Sequence, residues 1–293
     1  MASEQQRKLI RKYIERMPSL STTVTKVLEI CNRPNTSPND LNRVISLDPV
    51  LTGQVLKLIN SAYYSLPNQI SSLTRAIIML GLNTVKNLAL STAILGTMGR
   101  EEAFQSLSMD DFWTHSLCVG VTAKALAIRQ GAVREQQEEY FVAGLLHDLG
   151  KIPLNSCFSK EYQQAQDLAG LEQISLDRAE RTILDLDHAE VGRMIGEKWQ
   201  LNESLVELLA WHHQPEGAAP QLQSMINLVA LANGYANLEG IGSAGNRYPD
   251  LRQFGELLDK SGVSRETLAG LKPEVEREID KAQVFLAVAK ENL

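Results

Sequence analysis

The chain has 293 residues, 44% hydrophobic and 22% charged, enough for a sizeable core in one large domain or two lobes. A net charge of −6 without any Lys/Arg block gives no electrostatic basis for binding nucleic acid. Three widely spaced cysteines, Cys31, Cys118 and Cys157, offer neither a CxxC pair nor a disulfide framework, which points to a reducing compartment.

The N-terminus, MASEQQRKLIRKYIERMP, is charged throughout and lacks the apolar segment of a signal peptide. No uncharged apolar run reaches membrane-spanning length, so a cytoplasmic protein without membrane contact is expected. Helical periodicity then dominates, and strand alternation is nearly absent. Residues 21–31 place Val24, Val27, Leu28 and Cys31 on one face. Ser37-Pro38 and Asp48-Pro49 each supply an N-cap followed by proline at the first helical position, and open two further helices. Leu66-Pro67-Asn68 breaks the second of these, and helices near 72–80 and 83–97 follow, parted at Gly81. Residues 99–107 read as a connector between lobes. Ser108 caps a long helix over about 109–130, and another near 137–147 is stopped by Gly150 and Pro153. Helices near 175–184, 189–199, 203–213 and 222–238 come next, with QPEGAAPQ (214–221) as a loop. EGIGSAGNRYPD (239–250) reads as the most flexible segment, before a short helical tail from 251 to 293. The expected fold is all-α: an N-terminal helical lobe over 1–98, a second lobe over 99–238, and a loop and tail over 239–293.

Polar residues interrupt this pattern most sharply at GLLHDLGKIPL (144–154), where His147 and Asp148 end an apolar run. Two such side chains inside a greasy segment need partners. All five histidines, His115, His147, His188, His212 and His213, fall between positions 115 and 213, on separate predicted helices except for the final pair. Asp111 lies four residues before His115, on the same helix face. A single buried histidine is more often a satisfied core residue than a ligand. Several helices that each contribute an inward His or Asp are nevertheless how helical proteins build metal sites. Imidazole and carboxylate donors suit iron, manganese, zinc or nickel.

His115 followed by His147-Asp148 in an HDxGK run resembles the HD superfamily of metal-dependent phosphohydrolases. His188 and the His212-His213 doublet look like the extended ligand set of the HD-GYP phosphodiesterases. Asp111 sits where that group often carries an acidic ligand, and Asn233 stands where it carries an aspartate. The loop after His213 has no GYP tripeptide. MPSLSTTVTKVLEI, then VISLDPVLTGQVLKLINSAYYSLPNQISSLTRAIIMLGLNTVKNLAL, is similar to the HDOD family of bacterial signalling proteins, a resemblance that extends over about residues 17–238. It implies a helical N-terminal lobe packed on an HD-like lobe, and a regulatory role with a protein partner in a signalling pathway. The alternative it implies is a metal-dependent phosphohydrolase or phosphodiesterase acting on a nucleotide or cyclic nucleotide.

One or two divalent ions are expected. With two, Asp148 would bridge them: His115, His147 and Asn233 on one side, His188, His212 and His213 on the other. Bound metal would attract a phosphate-bearing ligand and acidify water. Asp148 and Lys151 are then the catalytic candidates, Lys151 as a point charge for a phosphate oxygen. A closed metal clamp that fixes a surface for partners uses the same residues without turnover. Whether the protein is an enzyme stays open at this point.

Overall fold

Short polar side chains start most of the helices. Ser21, Ser37, Asp48, Ser72, Ser108, Asp187, Asn202, Asp250 and Ser264 each accept a hydrogen bond from a backbone N–H in the first turn that follows. The computed structural model describes residues 2–33, 35–98 and 104–290. Its fold is all-α: 73% of the chain is helical, with no strand among the described residues.

Six helices form the N-terminal part: α1 (Ala2–Arg16), α2 (Thr22–Cys31), α3 (Pro38–Ile45), α4 (Pro49–Ile59), α5 (Leu73–Leu80) and α6 (Leu82–Met98). Asn60 clamps the loop after α4, accepting from the Ile70 N–H at 2.7 Å and donating to the Ile70 carbonyl at 2.7 Å. Then come α7 (Met109–Arg129), α8 (Arg134–Leu146), α9 (Lys151–Cys157), α10 (Ser159–Glu172), α11 (Leu176–Leu184), α12 (His188–Lys198), α13 (Glu203–Trp211) and α14 (Gln223–Glu239). Helices α15 (Leu251–Ser261), α16 (Arg265–Ala269) and α17 (Lys272–Lys290) complete the chain. Helix α7 is buried almost all round because α8, α14 and α17 pack against it. One apolar cluster runs through both halves.

Three elements differ from the expectation. Pro153 does not stop a helix; it lies in the first turn of α9, where a missing N–H forfeits no intrahelical bond. Two helices, α9 and α10, therefore fill a stretch left unassigned. The charged N-terminus also forms a helix, α1, which packs on α9 and α12. Lys198 fastens its end by donating to the carbonyls of Ile14, Glu15 (2.9 Å) and Met17 (2.7 Å), and Trp199 Nε1 donates to Pro18 O at 3.1 Å. At the other terminus, α17 is a 19-residue helix rather than a short tail, and it packs on α4, α6 and α7. Helix α1 thus lies on the second half of the chain, and α17 bridges the two halves. The connector at 99–107 falls partly outside the described residues; Gln105 and Ser106 are pinned by their N–H groups to Asn155 Oδ1 at 2.9 Å. No single helix among the described residues is long and apolar enough to cross a membrane.

Candidate metal centre

Four of the five histidines sit where helices begin or end. His147 follows α8, His188 opens α12, and His212 and His213 follow α13, while His115 lies within α7. Asp148, fully buried, is their common neighbour. Its two oxygens face different sets. Oδ1 lies 3.2 Å from His188 Nε2 and 3.7 Å from His212 Nε2. Oδ2 lies 3.2 Å from His147 Nε2 and 3.8 Å from His115 Nε2. His213 Nε2 joins the first set, 2.8 Å from His188 Nε2. Two donor groups result, Asp148 with His188, His212 and His213, and Asp148 with His115 and His147.

The HDLG turn can approach α12 closely because residue 150 is glycine. A Cβ there would lie 1.9 Å from the His188 carbonyl oxygen and 2.6 Å from the Gly192 nitrogen. No larger side chain fits while His188 keeps its distance to Asp148. A second close approach comes from residues 240–246. Gly242, at φ +64°, lies against the backbone of His115 and Asp111. Ser243 N–H donates to Asp111 O at 2.9 Å, and Ala244 O accepts from Lys151 Nζ at 3.0 Å. The segment read as most flexible is therefore a strap tied over one side of the site.

Hydrogen bonds on the far side of three rings decide which nitrogens face inward. Nδ1 of His147 faces the Gly144 carbonyl at 2.7 Å, and Nδ1 of His212 faces the carbonyls of Leu208 and Leu209 at 3.2 and 3.3 Å. A carbonyl only accepts, so these Nδ1 atoms carry the proton and each Nε2 presents a lone pair toward Asp148. Nδ1 of His188 contacts Glu180 Oε2 at 2.6 Å, and the same oxygen accepts the His188 backbone N–H at 2.8 Å. Lone pairs and carboxylate oxygens aimed at one another repel unless a cation lies among them. His115 Nδ1 and Nε2, His147 Nε2 and Asp148 Oδ1 are buried without a hydrogen-bond partner, and Asp148 Oδ2 is met by the Lys151 ammonium at 2.8 Å. That donor set fits a divalent metal ion.

Electrostatics agree. Burial, reinforced by the His147 ring, pushes His115 down to about 3, and burial pushes His212 down to about 4. Burial also holds His213 well below its usual range, with His212 and His188 adding to it. His188 is opposed by burial but carried up to about 10 by the Glu180 carboxylate. For Asp148 burial raises the carboxyl, and the neighbouring His147 and Lys151 more than offset it, leaving it well below the usual range. His115, His212 and His213 are thus neutral imidazoles beside an ionised carboxylate, as metal ligation requires, whereas His188 without metal holds a proton that a bound ion would displace.

The remaining sequence candidates fall elsewhere. Asp111 is exposed in the first turn of α7, where its N–H donates to the Ser108 cap at 3.3 Å, and it is not brought into either donor group. Asn233, 6% exposed on α14, faces His115, but its Oδ1 accepts from Asn237 Nδ2 at 2.8 Å. Lys151 is buried rather than solvated, with Nζ 2.8 Å from Asp148 Oδ2. Two carboxylates were not anticipated: Glu180 behind His188, and Asp177, whose Oδ1 is 3.9 Å from His213 Nδ1. Their only sequence signal is i,i+3 spacing on the inner face of α11, which an ordinary surface helix shares. Of the five histidines only His213 reaches solvent, with 13% of its side chain exposed. It borders a cavity of about 310 Å³ lined by three arginines, Arg178, Arg181 and Arg252, and four carboxylates, Asp177, Glu216, Asp250 and Glu256.

Known proteins share this arrangement of helices. An HDOD domain protein of unknown function from Geobacter sulfurreducens is 27% identical, with a TM-score of 0.72 and 97% of each chain covered. A protein from Marinobacter aquaeolei VT8, provisionally named for signal transduction, has a TM-score of 0.74 at 20% identity, covering 99% of this chain and 67% of that one. One from Shewanella amazonensis SB2B, provisionally named a phosphohydrolase, has a TM-score of 0.68 at 21% identity, covering 97% and 98%. At those identities the last two establish the fold alone. A Treponema pallidum protein is 26% identical over 222 residues, 75% of this chain and 42% of that protein, so this chain spans less than half of that relative. The HDOD domain itself matches residues 17–215, most of the chain, and the protein belongs to the HDOD family.

Proposed function

We propose that this protein is a signal-transduction module whose HD-type pocket binds a divalent metal ion, and that it acts by holding a surface for a protein partner. The observation that carries the metal reading is the set of inward Nε2 lone pairs, fixed by carbonyls behind His147 and His212, around the buried carboxylate of Asp148, whose Oδ1 has no hydrogen-bond partner. When bound, the metal supplies a fixed charge that joins helices from distant parts of the chain and, at an open coordination position, acidifies water. His188, His212 and His213, with Asp148, would hold it, and His115 and His147 face the other oxygen of the same carboxylate. Glu180 orients His188. Lys151 and the 240–246 strap close one side of the pocket. A lysine already committed to Asp148 and a backbone carbonyl is poorly placed to receive a phosphate, which favours a clamp over turnover.

The partner surface is assigned to the N-terminal lobe. Leu47, Val50 and Ile78 are 70%, 58% and 69% exposed there, on or beside the mutually packed helices α3, α4 and α5. One observation favours the second reading, a metal-dependent phosphohydrolase: a cavity of about 310 Å³ reaches His213 and would give a ligand access to it, although its arginines are each paired with a carboxylate.

Elemental analysis of protein purified without added metal tests the first part. A divalent ion should accompany the wild type and be lost in Asp148→Asn, which removes the charge common to both donor groups. Hydrolysis of bis(p-nitrophenyl) phosphate and a cyclic nucleotide should stay at background. Turnover by the wild type that Asp148→Asn abolishes would establish the phosphohydrolase reading instead.

A further inference from the structure

The two sides of Asp148 are not equivalent. On the Oδ1 side, α11 places two further buried carboxylates behind the imidazoles. Glu180 contacts His188 Nδ1 at 2.6 Å, and Asp177 lies 3.9 Å from His213 Nδ1. On the Oδ2 side there is no such backing among the described residues. Instead the Lys151 ammonium lies 2.8 Å from Oδ2, closer than either His147 at 3.2 Å or His115 at 3.8 Å. Ala244 O, in the strap, holds that ammonium from behind at 3.0 Å. The Asn233 amide, which faces His115, is engaged by Asn237.

We propose that the pocket holds a single divalent ion, on the His188–His212–His213 side of Asp148, and that the Lys151 ammonium stands where a second ion would lie on the His115–His147 side. The inference rests on the metal reading above and assigns the stoichiometry and position within it. The reason is charge. A dication on the Oδ1 side sees three carboxylates and three imidazoles that can all present lone pairs. A dication on the Oδ2 side sees one shared carboxylate and an ammonium within contact of it, and like charges at that separation in a buried site repel strongly. His115 and His147 then line the lysine's side of the pocket, at 3.8 and 3.2 Å from Oδ2.

Manganese titration of the full, metal-stripped chain tests this, read by bound metal per chain and by electron paramagnetic resonance. The expected result is one ion per chain, with the hyperfine pattern of an isolated ion. His212→Ala should weaken binding more than about a hundredfold, since losing a group that merely orients a ligand already costs about ten- to a hundredfold. Glu180→Gln should weaken it about tenfold, and His115→Ala should leave it within a few-fold of wild type. Lys151→Met, which keeps the bulk and deletes the charge, should admit a second ion and a spin-coupled spectrum. Two ions with a coupled spectrum in the wild type would overturn the inference while leaving the metal reading standing. So would an ion that survives His212→Ala but is lost in His115→Ala, or a folded Lys151→Met that still binds one. If Lys151→Met does not fold, the histidine pair decides the position. No bound ion in the saturated wild type would overturn the metal reading itself.

Discussion

Replacing Gly150 by alanine sets two effects of opposite sign against each other. Gly150 has φ −64° and ψ −19°, an ordinary right-handed conformation, so alanine carries no backbone penalty. Its reduced freedom in the unfolded chain would by itself stabilise the protein by about 0.4–1 kcal/mol. The added Cβ, however, would sit 1.9 Å from His188 O where ordinary contact begins at 3.4 Å, so α12 and the HDLG turn must part by about 1.5 Å. Overpacking against side chains costs about 1–3 kcal/mol, and an obstacle made of backbone belongs at the upper end. We expect a net loss of about 2–3 kcal/mol, read as a lower urea midpoint by linear extrapolation. The same displacement carries His188 away from Asp148, now 3.2 Å distant, so metal content should fall with stability. An unchanged or raised midpoint, the outcome that propensity alone requires, would refute the close-approach argument, and full metal retention would refute its link to the site.

Asn233→Asp places a carboxylate beside His115 that offsets the Lys151 charge, and it should create weak metal binding on the His115–His147 side, seen as a second step in a metal titration, while phosphodiester hydrolysis stays at background. In metal-free protein, His115 at about 3 and His212 at about 4 lie below the unfolded value of 6.5, so the unfolded chain binds protons that the fold refuses. Their contribution is complete above pH 6.5 and is lost as pH falls toward 4. His188 at about 10 acts oppositely, complete below 6.5 and lost toward 10, so thermal melts should show instability on both flanks; a midpoint flat from pH 6.5 to 4 would contradict the acid arm. Leu47→Ser combined with Ile78→Ser should change stability by no more than about 0.5 kcal/mol per site and abolish capture of the signalling partner; capture undiminished in a pull-down would remove that face from consideration.

Capping residues made the helices legible. Ser37-Pro38 and Asp48-Pro49 fix the starts of α3 and α4 to the residue because both the cap and the proline have local consequences. Pro153 misled for the same reason seen from the other side: a proline in a first turn and a proline that ends a helix look alike until the start of the helix is known. The histidines and Asp148 stood out because polar groups in apolar runs are costly, whereas Glu180 did not, lying in LDRAERTIL among charges that usually face water. Asp111 shows the limit of spacing arguments. It shares a helix face with His115, yet one turn nearer the start of α7 that face has reached the surface. The strap was the least legible feature, since glycines that permit mobility also permit close contact, and only the tertiary position of His115 and Lys151 distinguishes the two.

The crossing of the chain ends bears on how the protein is made. Helix α1 docks on α12, whose last residue leaves the ribosome about 180 residues after the end of α1. At synthesis rates of about 5–20 residues per second the nascent chain carries Ile10, Ile14 and Met17, all buried in the finished protein, without their partner for roughly 10–40 s. The N-terminal helices α4 and α6 wait longer still, because α17, which covers them, is translated about 170 or more residues after they are. Vectorial folding of one half before the other is therefore closed to this topology. The emerging chain should depend on chaperone holding during translation more than a protein of equal length whose termini stay within their own halves, and its refolding in vitro should slow with the long loops that must close before either end can dock.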